Sequence, residues 1–240
     1  MGLFLYETHL HTKESSACSV SYGAEYIDAY AKAGYSGIFV TDHFFGGNTS
    51  VPKNLDWKTR INLFCTGYEN ALKESEKYEG FKVFFGFEQT FQGDDYLIYG
   101  LDKEWLLSHP DVETMNHAEL FAAVNLAHGL MIQAHPFRLR HYIKAIHVHP
   151  RSVHGFETFN GGNEPHENEL AKMYAKIYNF PETSGSDIHC VDNINQFSGI
   201  KAPPKIGGMA FETPLENVND YITRIKNHQG KLIEPGFSRI

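Results

Sequence analysis

Acidic and imidazole side chains recur just after short apolar runs of this sequence, where strands would end. The residues placed in this way are Glu7, His9, His11, Asp42, His43, Glu88, His135, Asp187 and His189. Imidazole and carboxylate groups are common ligands of divalent metal ions, and histidine also transfers protons near neutral pH. A lone histidine at a strand end is usually a hydrogen-bonded surface or core residue, so the repeated placement carries the signal. The pattern predicts one site assembled from several segments.

The spacing within two of these segments supports the same prediction. His9 and His11 lie two residues apart, and side chains two apart on a strand point to the same face of the sheet. Asp187 and His189 repeat this spacing. Each pair can therefore supply two ligands to one ion.

Histidine is unusually frequent, with 14 copies in 240 residues. Five of them lie at the predicted strand ends: His9, His11, His43, His135 and His189. The pair His147 and His149 has the spacing of a ligand pair, but no apolar run precedes it. We assign no role to that pair or to the other histidines of loops and helices.

Apolar runs alternate with amphipathic helical segments along the chain, which is typical of a β/α fold. The runs that predict strands cover residues 3–6, 37–40, 82–87, 96–99, 130–134, 155–159, 206–211 and 231–233. In parallel α/β folds the carboxyl ends of the strands form one rim, where active sites are built. The acidic and imidazole side chains are therefore expected to meet there.

Five helices are expected between these strands. The first covers residues 21–33, the second is a stripe from Ile61 to Leu72, and the third follows Asn116 and Glu119 in capping positions. The fourth has a stripe formed by Leu170, Met173, Tyr174 and Ile177. The fifth is predicted to begin at a capping box of residues 213–216 and to end before Gly230. No break in composition divides the chain, so a single domain over residues 1–240 is expected.

The overall composition limits the classes of function. The chain has 21 basic and 29 acidic side chains, a formal charge of -8, which disfavours non-specific binding to nucleic acid or to an anionic membrane. No apolar run approaches the roughly 18 residues of a membrane span, and no signal peptide is evident, so a cytoplasmic location is predicted. Three cysteines without a CxxC motif argue against disulfides and against a thiolate zinc site, and Cys65 is expected in the core.

Five segments of the chain resemble the motifs of the polymerase and histidinol phosphatase (PHP) family. They are residues 7–12 (ETHLHT), 41–43 (TDH), 86–88 (GFE), 134–136 (AHP) and 184–189 (SGSDIH). The resemblance implies a distorted (β/α)7 barrel like that of the amidohydrolases. It also implies two or three divalent metal ions, zinc, manganese or iron, and hydrolysis of phosphoester bonds.

The resemblance also assigns ligands. A first metal ion would be held by His9, His11, Glu88 and Asp187. A second would share Glu88 and take His135. A third would use His43 and His189.

The sequence departs from the family pattern at two ligand positions. Asp95 stands where the second metal ion usually has a histidine, and a carboxylate oxygen also suits zinc or manganese. The remaining ligand of the third ion would be Glu14 or Cys18, where the family has histidine or aspartate.

Two ions bridged by Glu88 would hold a hydroxide that attacks phosphorus, so no protein nucleophile is needed. Asp42 or His189 could protonate the leaving oxygen. Residues 120–155 contain no acid, and Arg138 or Arg140 within them could bind a substrate phosphate; the alternative is that they belong to a solvated loop and helix face.

The leading hypothesis is therefore a metal-dependent phosphoesterase acting on a small phosphate monoester, as a histidinol phosphatase does. One alternative is a phosphodiesterase or nucleotide 3′-end nuclease, against which the acidic charge argues. Another is a non-catalytic metal-binding or sensor protein. The expected partner is a small phosphorylated substrate, with no membrane partner, and the oligomeric state stays open.

Overall fold

The computed structural model describes residues 2–195 and 205–238, in which nine strands form one mixed sheet. The strands are β1 (Phe4–Glu7), β2 (Gly37–Val40), β3 (Lys82–Phe91), β4 (Asp94–Tyr99), β5 (Leu130–Gln133), β6 (Gly155–Asn160), β7 (Glu182–Gly185), β8 (Met209–Phe211) and β9 (Lys231–Leu232). Their spatial order is β7-β6-β5-β4-β3-β2-β1-β8-β9. The sheet curls into a nearly closed barrel, because the edge strand β7 lies against β8 and β9 and the segments beyond β1 and β7 pair with each other.

Two strands of the sheet, β4 and β8, run opposite to the other seven. β1, β2 and β3 pair in parallel, as do β5, β6 and β7, whereas β4 runs antiparallel to both β3 and β5. β8 is antiparallel to β1 and to β9. A two-residue turn at Gln92 and Gly93, both with positive φ, makes β3 and β4 a hairpin. Strands and helices alternate along most of the chain as expected, and this hairpin is one of the exceptions. A count of seven β/α units is not confirmed.

The barrel closes where the chain continues beyond β1 and β7. Leu10 pairs in parallel with Ile188, and the His11 amide donates to the Ile188 carbonyl at 2.9 Å. Below this point the Ser184 hydroxyl accepts from the Gly208 amide and donates to the Ile233 carbonyl, so one side chain joins β7 to the opposite edge. The closure brings the segment after β1 against the segment after β7.

The helices lie between the strands in the described residues. They are α1 (Glu25–Lys32), α2 (Trp57–Phe64), α3 (Thr66–Ser75), α4 (Lys103–Ser108), α5 (His117–Leu126), α6 (Pro165–Tyr178), α7 (Asp192–Asn195) and α8 (Val218–Lys226), with a 3₁₀ turn at Pro110–Glu113. None of them is long and apolar enough to span a membrane.

Several predicted elements need correction. The second predicted helix is two helices that meet at Cys65, which is fully buried as expected. β7 was not predicted, because its sequence Glu-Thr-Ser-Gly is polar although three of its four residues are buried. The capping box of Asn116 and Glu119 at the start of α5 is confirmed.

The face that α6 turns to the sheet also differs from the prediction. Leu170, Met173 and Ile177 of the predicted stripe are between 45% and 70% exposed. The helix instead buries the small residues Ala171 and Ala175. Small side chains allow the helix to lie close to β6, and the larger residues are left on the outer face.

β4 separates the barrel interior from the layer outside it. Leu97 and Tyr99 face inwards and pack in the same apolar cluster as residues of α8. Tyr96 and Ile98 face outwards, into a cluster that includes residues of α2 and α5. Because successive side chains on a strand point to opposite faces, neighbouring β4 residues serve different sides of the sheet.

The start of α8 provides a test of the fold. The predicted capping box at residues 213–216 is wrong: the helix begins at Val218, and the Asn217 side chain accepts from the Asp220 amide at 3.1 Å. We expect Asn217→Ala to lower the free energy of unfolding by about 1 kcal/mol, because a helix N–H loses its partner. The exposed Thr213 is the matched control, and Thr213→Ala is expected to change stability by less than about 0.5 kcal/mol. Urea denaturation measures both, and a larger loss for Thr213→Ala would contradict the observed helix start.

Candidate metal centre

Four donor side chains converge at the open end of the barrel, where the segments after β1 and β7 meet. His9 Nε2 and His11 Nε2 lie 3.1 Å apart, and Asp187 Oδ1 is 3.5 Å from the first and 3.2 Å from the second. The Glu88 carboxylate in β3 is 3.3 Å from His9 Nε2 and 3.5 Å from His11 Nε2. The structure thus brings together the four residues predicted for the first metal ion.

These distances fit a metal ion. Ligand atoms 2.0–2.2 Å from a tetrahedral zinc ion lie about 3.3–3.6 Å from one another, close to the separations between these donors. Glu88 Oε2 and His43 Nδ1 are buried and face each other at 2.7 Å, with no other hydrogen-bond partner among the described residues. Buried polar atoms with so few partners are costly, and a shared cation would satisfy both.

Hydrogen bonds to the Nδ1 atoms of His9 and His11 orient the Nε2 atoms of both rings towards the centre. His9 Nδ1 lies 2.9 Å from Glu157 Oε1, and His11 Nδ1 lies 3.2 Å from Ser16 Oγ. In the neutral ring, a proton on Nδ1 leaves Nε2 with a free lone pair, which is the form that binds a metal; a protonated ring must first release its Nε2 proton. The two rings are therefore oriented for coordination before any ion binds.

Asp42 occupies a supporting position rather than one facing the centre. Its carboxylate accepts from the Thr12 amide, the Thr12 hydroxyl and the Ser16 hydroxyl, each at 2.6 Å. Ser16 in turn contacts the His11 ring. The structure therefore does not bring Asp42 forward as the general acid considered from sequence, because both of its oxygens hold the loop behind His11.

A second group of donors lies on the other side of Glu88. His135 Nε2 is 3.3 Å from Glu88 Oε1 and 3.8 Å from Asp95 Oδ2. The His135 backbone takes a positive φ of 30°, and its amide donates to Glu157 Oε2 at 3.0 Å. The structure places Asp95, the residue proposed in place of histidine, beside His135 and Glu88.

A third group contains three stacked imidazoles. The His11 ring centroid is 4.2 Å from that of His43 and 4.4 Å from that of His189, whose Nδ1 bonds to the Asp187 carbonyl at 2.8 Å. The Cys18 thiol lies near His189 and His43; burial alone would raise its pKa, but these two neighbours lower the pKa to about 6.

The structure separates the two candidates for the remaining ligand of this group. Glu14 points away, and its carboxylate accepts from the Gly23 amide and from the Asn70 side chain. Cys18 therefore lies at the third group, and Glu14 does not.

Nearby charges keep the central carboxylates ionised. Burial raises the pKa of Glu88, but the positive charges of His43 and His9 outweigh it and hold the pKa well below its usual value. Burial likewise raises the pKa of Asp187, and Arg138 together with His9 lowers it much further. Both side chains are thus in the charged form that binds cations.

The two arginines proposed for substrate phosphate lie in different places. Arg138 Nη2 donates to Asp187 Oδ2 at 2.6 Å and to Asn160 Oδ1 at 2.7 Å, at the edge of the centre. The Arg140 guanidinium donates to Glu167 Oε1 at 2.7 Å and to the Gly162 carbonyl at 2.9 Å. Arg140 therefore anchors its loop and does not face the centre.

Sequence reasoning missed Glu157, the residue that connects the first two donor groups. It is fully buried in β6 and contacts the His9 ring, the His135 amide and the Asn160 side chain. A Cβ on Gly185 would lie 2.6 Å from Glu157 Oε1, so only glycine fits beside it. An acid inside a predicted strand was the available signal.

Glu157 provides a test of the centre. Glu157→Gln keeps the shape of the side chain but removes the negative charge behind His9, so we expect divalent metal affinity to fall about 10–100-fold. Competition titration against a chelator measures it. Glu182→Gln is the control, because Glu182 lies on the adjacent strand and contacts Thr158 instead of the centre. Unchanged affinity in Glu157→Gln would contradict the orienting role of Glu157.

Comparison with known proteins places this geometry in a fold group. No protein-family model and no curated protein matches the chain. A two-domain protein of Bacteroides vulgatus containing a predicted PHP-like metal-dependent phosphoesterase has a TM-score of 0.69 at 15% identity, over 97% of this chain and 65% of that one. PsfC from Pseudomonas syringae has a TM-score of 0.64 at 17% identity, over 98% and 93% of the two chains.

The lesion-specific endonuclease PfuEndoQ from Pyrococcus furiosus has a TM-score of 0.61 at 12% identity, over 96% of this chain and 57% of that one. The chain thus spans less than two thirds of the Bacteroides protein and of the endonuclease. Likeness at these identities concerns the fold. This chain has the fold found in PHP-like metal-dependent phosphoesterases.

Proposed function

We propose that the chain is a metal-dependent phosphoesterase that hydrolyses a small phosphate monoester. The observation that supports this most is the convergence of four side chains: the Nε2 atoms of His9 and His11 lie 3.1 Å apart, and the carboxylates of Glu88 and Asp187 each lie 3.2–3.5 Å from both of them. Divalent zinc or manganese ions held there would activate water and neutralise charge on the phosphoryl oxygens. In this proposal the sheet is a distorted (β/α)7 barrel in which β4 is reversed.

The surroundings of His135 favour a small substrate. A pocket of about 40 Å³ lies beside His135 and Asp95, with Arg138 and residues of the loop after β5 in its wall. Such a space is far below the 300–1,000 Å³ of pockets that enclose drug-sized ligands. The formal charge of -8 also disfavours a long polyanion. Both features support a monoester over a nucleic-acid substrate.

His189 is proposed to donate the proton that the leaving oxygen needs. Its Nδ1 is engaged with the Asp187 carbonyl, which leaves Nε2 for proton transfer. The ring is 29% exposed, more than the 15% of His43 or the 8% of His135. The same Nε2 would bind a third metal ion, so the two roles exclude one another at any one time.

Metal removal tests the proposal. We expect chelated and dialysed protein to release no phosphate from an aryl phosphate monoester, and reloading with Mn²⁺ or Zn²⁺ to restore turnover. Glu88→Gln is expected to lower kcat at least about 100-fold, because the residue between the donor groups loses its charge. Glu182→Gln should retain activity.

A parallel assay with an aryl phosphate diester separates the alternatives. Turnover of the diester alone would favour the phosphodiesterase or nuclease, and turnover of neither substrate would favour a non-catalytic metal-binding protein. Monoester turnover that survives chelation would overturn the metal-dependent proposal.

The two arginines offer a matched pair for substrate binding. We expect Arg138→Ala to raise KM for the monoester at least about tenfold, because a charge-assisted hydrogen bond to phosphate contributes about 1.5–3 kcal/mol. Arg140→Ala should leave KM within about twofold, since Arg140 is bound to Glu167 and lies outside the pocket wall. Steady-state kinetics on metal-loaded protein measures both. Equal KM values for the two variants would contradict the assignment of Arg138.

A further inference from the structure

Three side chains converge at a place outside the candidate metal centre. Asp94 Oδ2, at the start of β4, is 3.0 Å from His147 Nδ1 and 3.3 Å from His149 Nε2. The ligand atoms of the three residues all lie within 4.8 Å of one another. His147 and His149 are the pair that sequence analysis left without a role.

The cluster lies on the opposite side of β4 from the centre. Asp95 faces inwards, towards His135. Asp94, one residue earlier, points to the other face, like Tyr96, and the His149 ring lies 6.1 Å from the Tyr96 ring. The two groups of donors are therefore separated by the strand itself.

The histidine pair is held in place by the backbone as well as by Asp94. The buried Gln133 side chain, at the end of β5, donates to the His147 carbonyl at 2.8 Å and accepts from the His149 amide at 3.0 Å. Val148 between them packs against the outer apolar cluster. The Gln133 hydrogen bonds and the packing of Val148 thus fix the backbone of this segment. Both imidazoles therefore lose little conformational entropy when they bind an ion.

The spacing and the chemistry of these donors match a transition-metal site. Two donor separations of 3.0 and 3.3 Å are near the roughly 3.3–3.6 Å expected between ligands of a tetrahedral zinc ion. Two imidazoles and one carboxylate suit Zn²⁺, Ni²⁺ or Cu²⁺ and are poor partners for Mg²⁺ or Ca²⁺. The His147 side chain is 46% exposed, which leaves room for water at further positions.

We propose that Asp94, His147 and His149 form a separate binding site for one divalent transition-metal ion of the zinc class. The ion ties the segment of residues 147–149 to the start of β4. Asp94 also lines the pocket beside His135, and so do Tyr142, Ile143 and Ile146 of the loop that precedes His147. An ion at Asp94 would therefore steady one wall of that pocket without touching the centre.

Metal counting on the intact protein tests this site independently of any activity. Protein is saturated with Zn²⁺, passed through a desalting column and analysed for bound metal, and Co²⁺ titration is followed by visible absorption. We expect wild-type protein to bind one more equivalent than His147→Ala. Loss of one of three ligands should weaken that last equivalent at least about tenfold.

A matched variant and a second substitution keep the test decisive. His141→Ala removes an exposed histidine from the same loop and should retain the full metal count. Asp94→Asn should lose the same equivalent as His147→Ala. Identical metal counts and affinities in wild type and His147→Ala would overturn the proposal, as would an equal loss in His141→Ala.

Discussion

The open end of the barrel depends on how two histidines and two carboxylates are buried side by side. A buried polar or charged group is costly unless it is paired, so each of these residues needs a partner. Glu157 stands behind His9, Ser16 behind His11 and Arg138 behind Asp187. These partners also determine which atom of each side chain points towards the centre. The same contacts therefore stabilise the buried groups and orient them for metal binding.

The closure of the sheet follows from the same requirement. Glu7, fully buried, accepts from the amides of Thr8, His9 and Ser186 and from the Tyr30 hydroxyl. It therefore joins the segment after β1 to the segment after β7 at the level of the metal centre. Together with the pairing of Leu10 and Ile188, this join keeps His9 beside Asp187.

Much of the centre could be predicted because strand ends leave a local signal. His9 and His11 follow an apolar run, Asp187 lies in a segment that resembles a PHP-family motif, and the parallel arrangement of β1 and β7 brings them to one rim. Glu157 lies within a strand, where its neighbours give no sign that it faces histidines rather than solvent. Asp42 has the position of a site residue, yet its oxygens are taken by Thr12 and Ser16, which only the folded chain reveals.

The reversed strand β4 accounts for most of what sequence could not show. A hairpin after β3 turns the chain back, so Asp94 and Asp95 arrive on opposite faces of one strand. Asp94 thereby meets His147 and His149, which lie 53 and 55 residues further along the chain. The spacing of the two histidines was visible in the sequence, but their carboxylate partner was not.

A crystal structure of Mn²⁺-loaded protein with anomalous diffraction data tests the central claim most directly. The account predicts an anomalous peak about 2.0–2.3 Å from His9 Nε2, His11 Nε2 and Asp187 Oδ1, with the Glu88 carboxylate completing the ligand set. Ordered manganese elsewhere in the crystal, with no peak among these four residues, would contradict it.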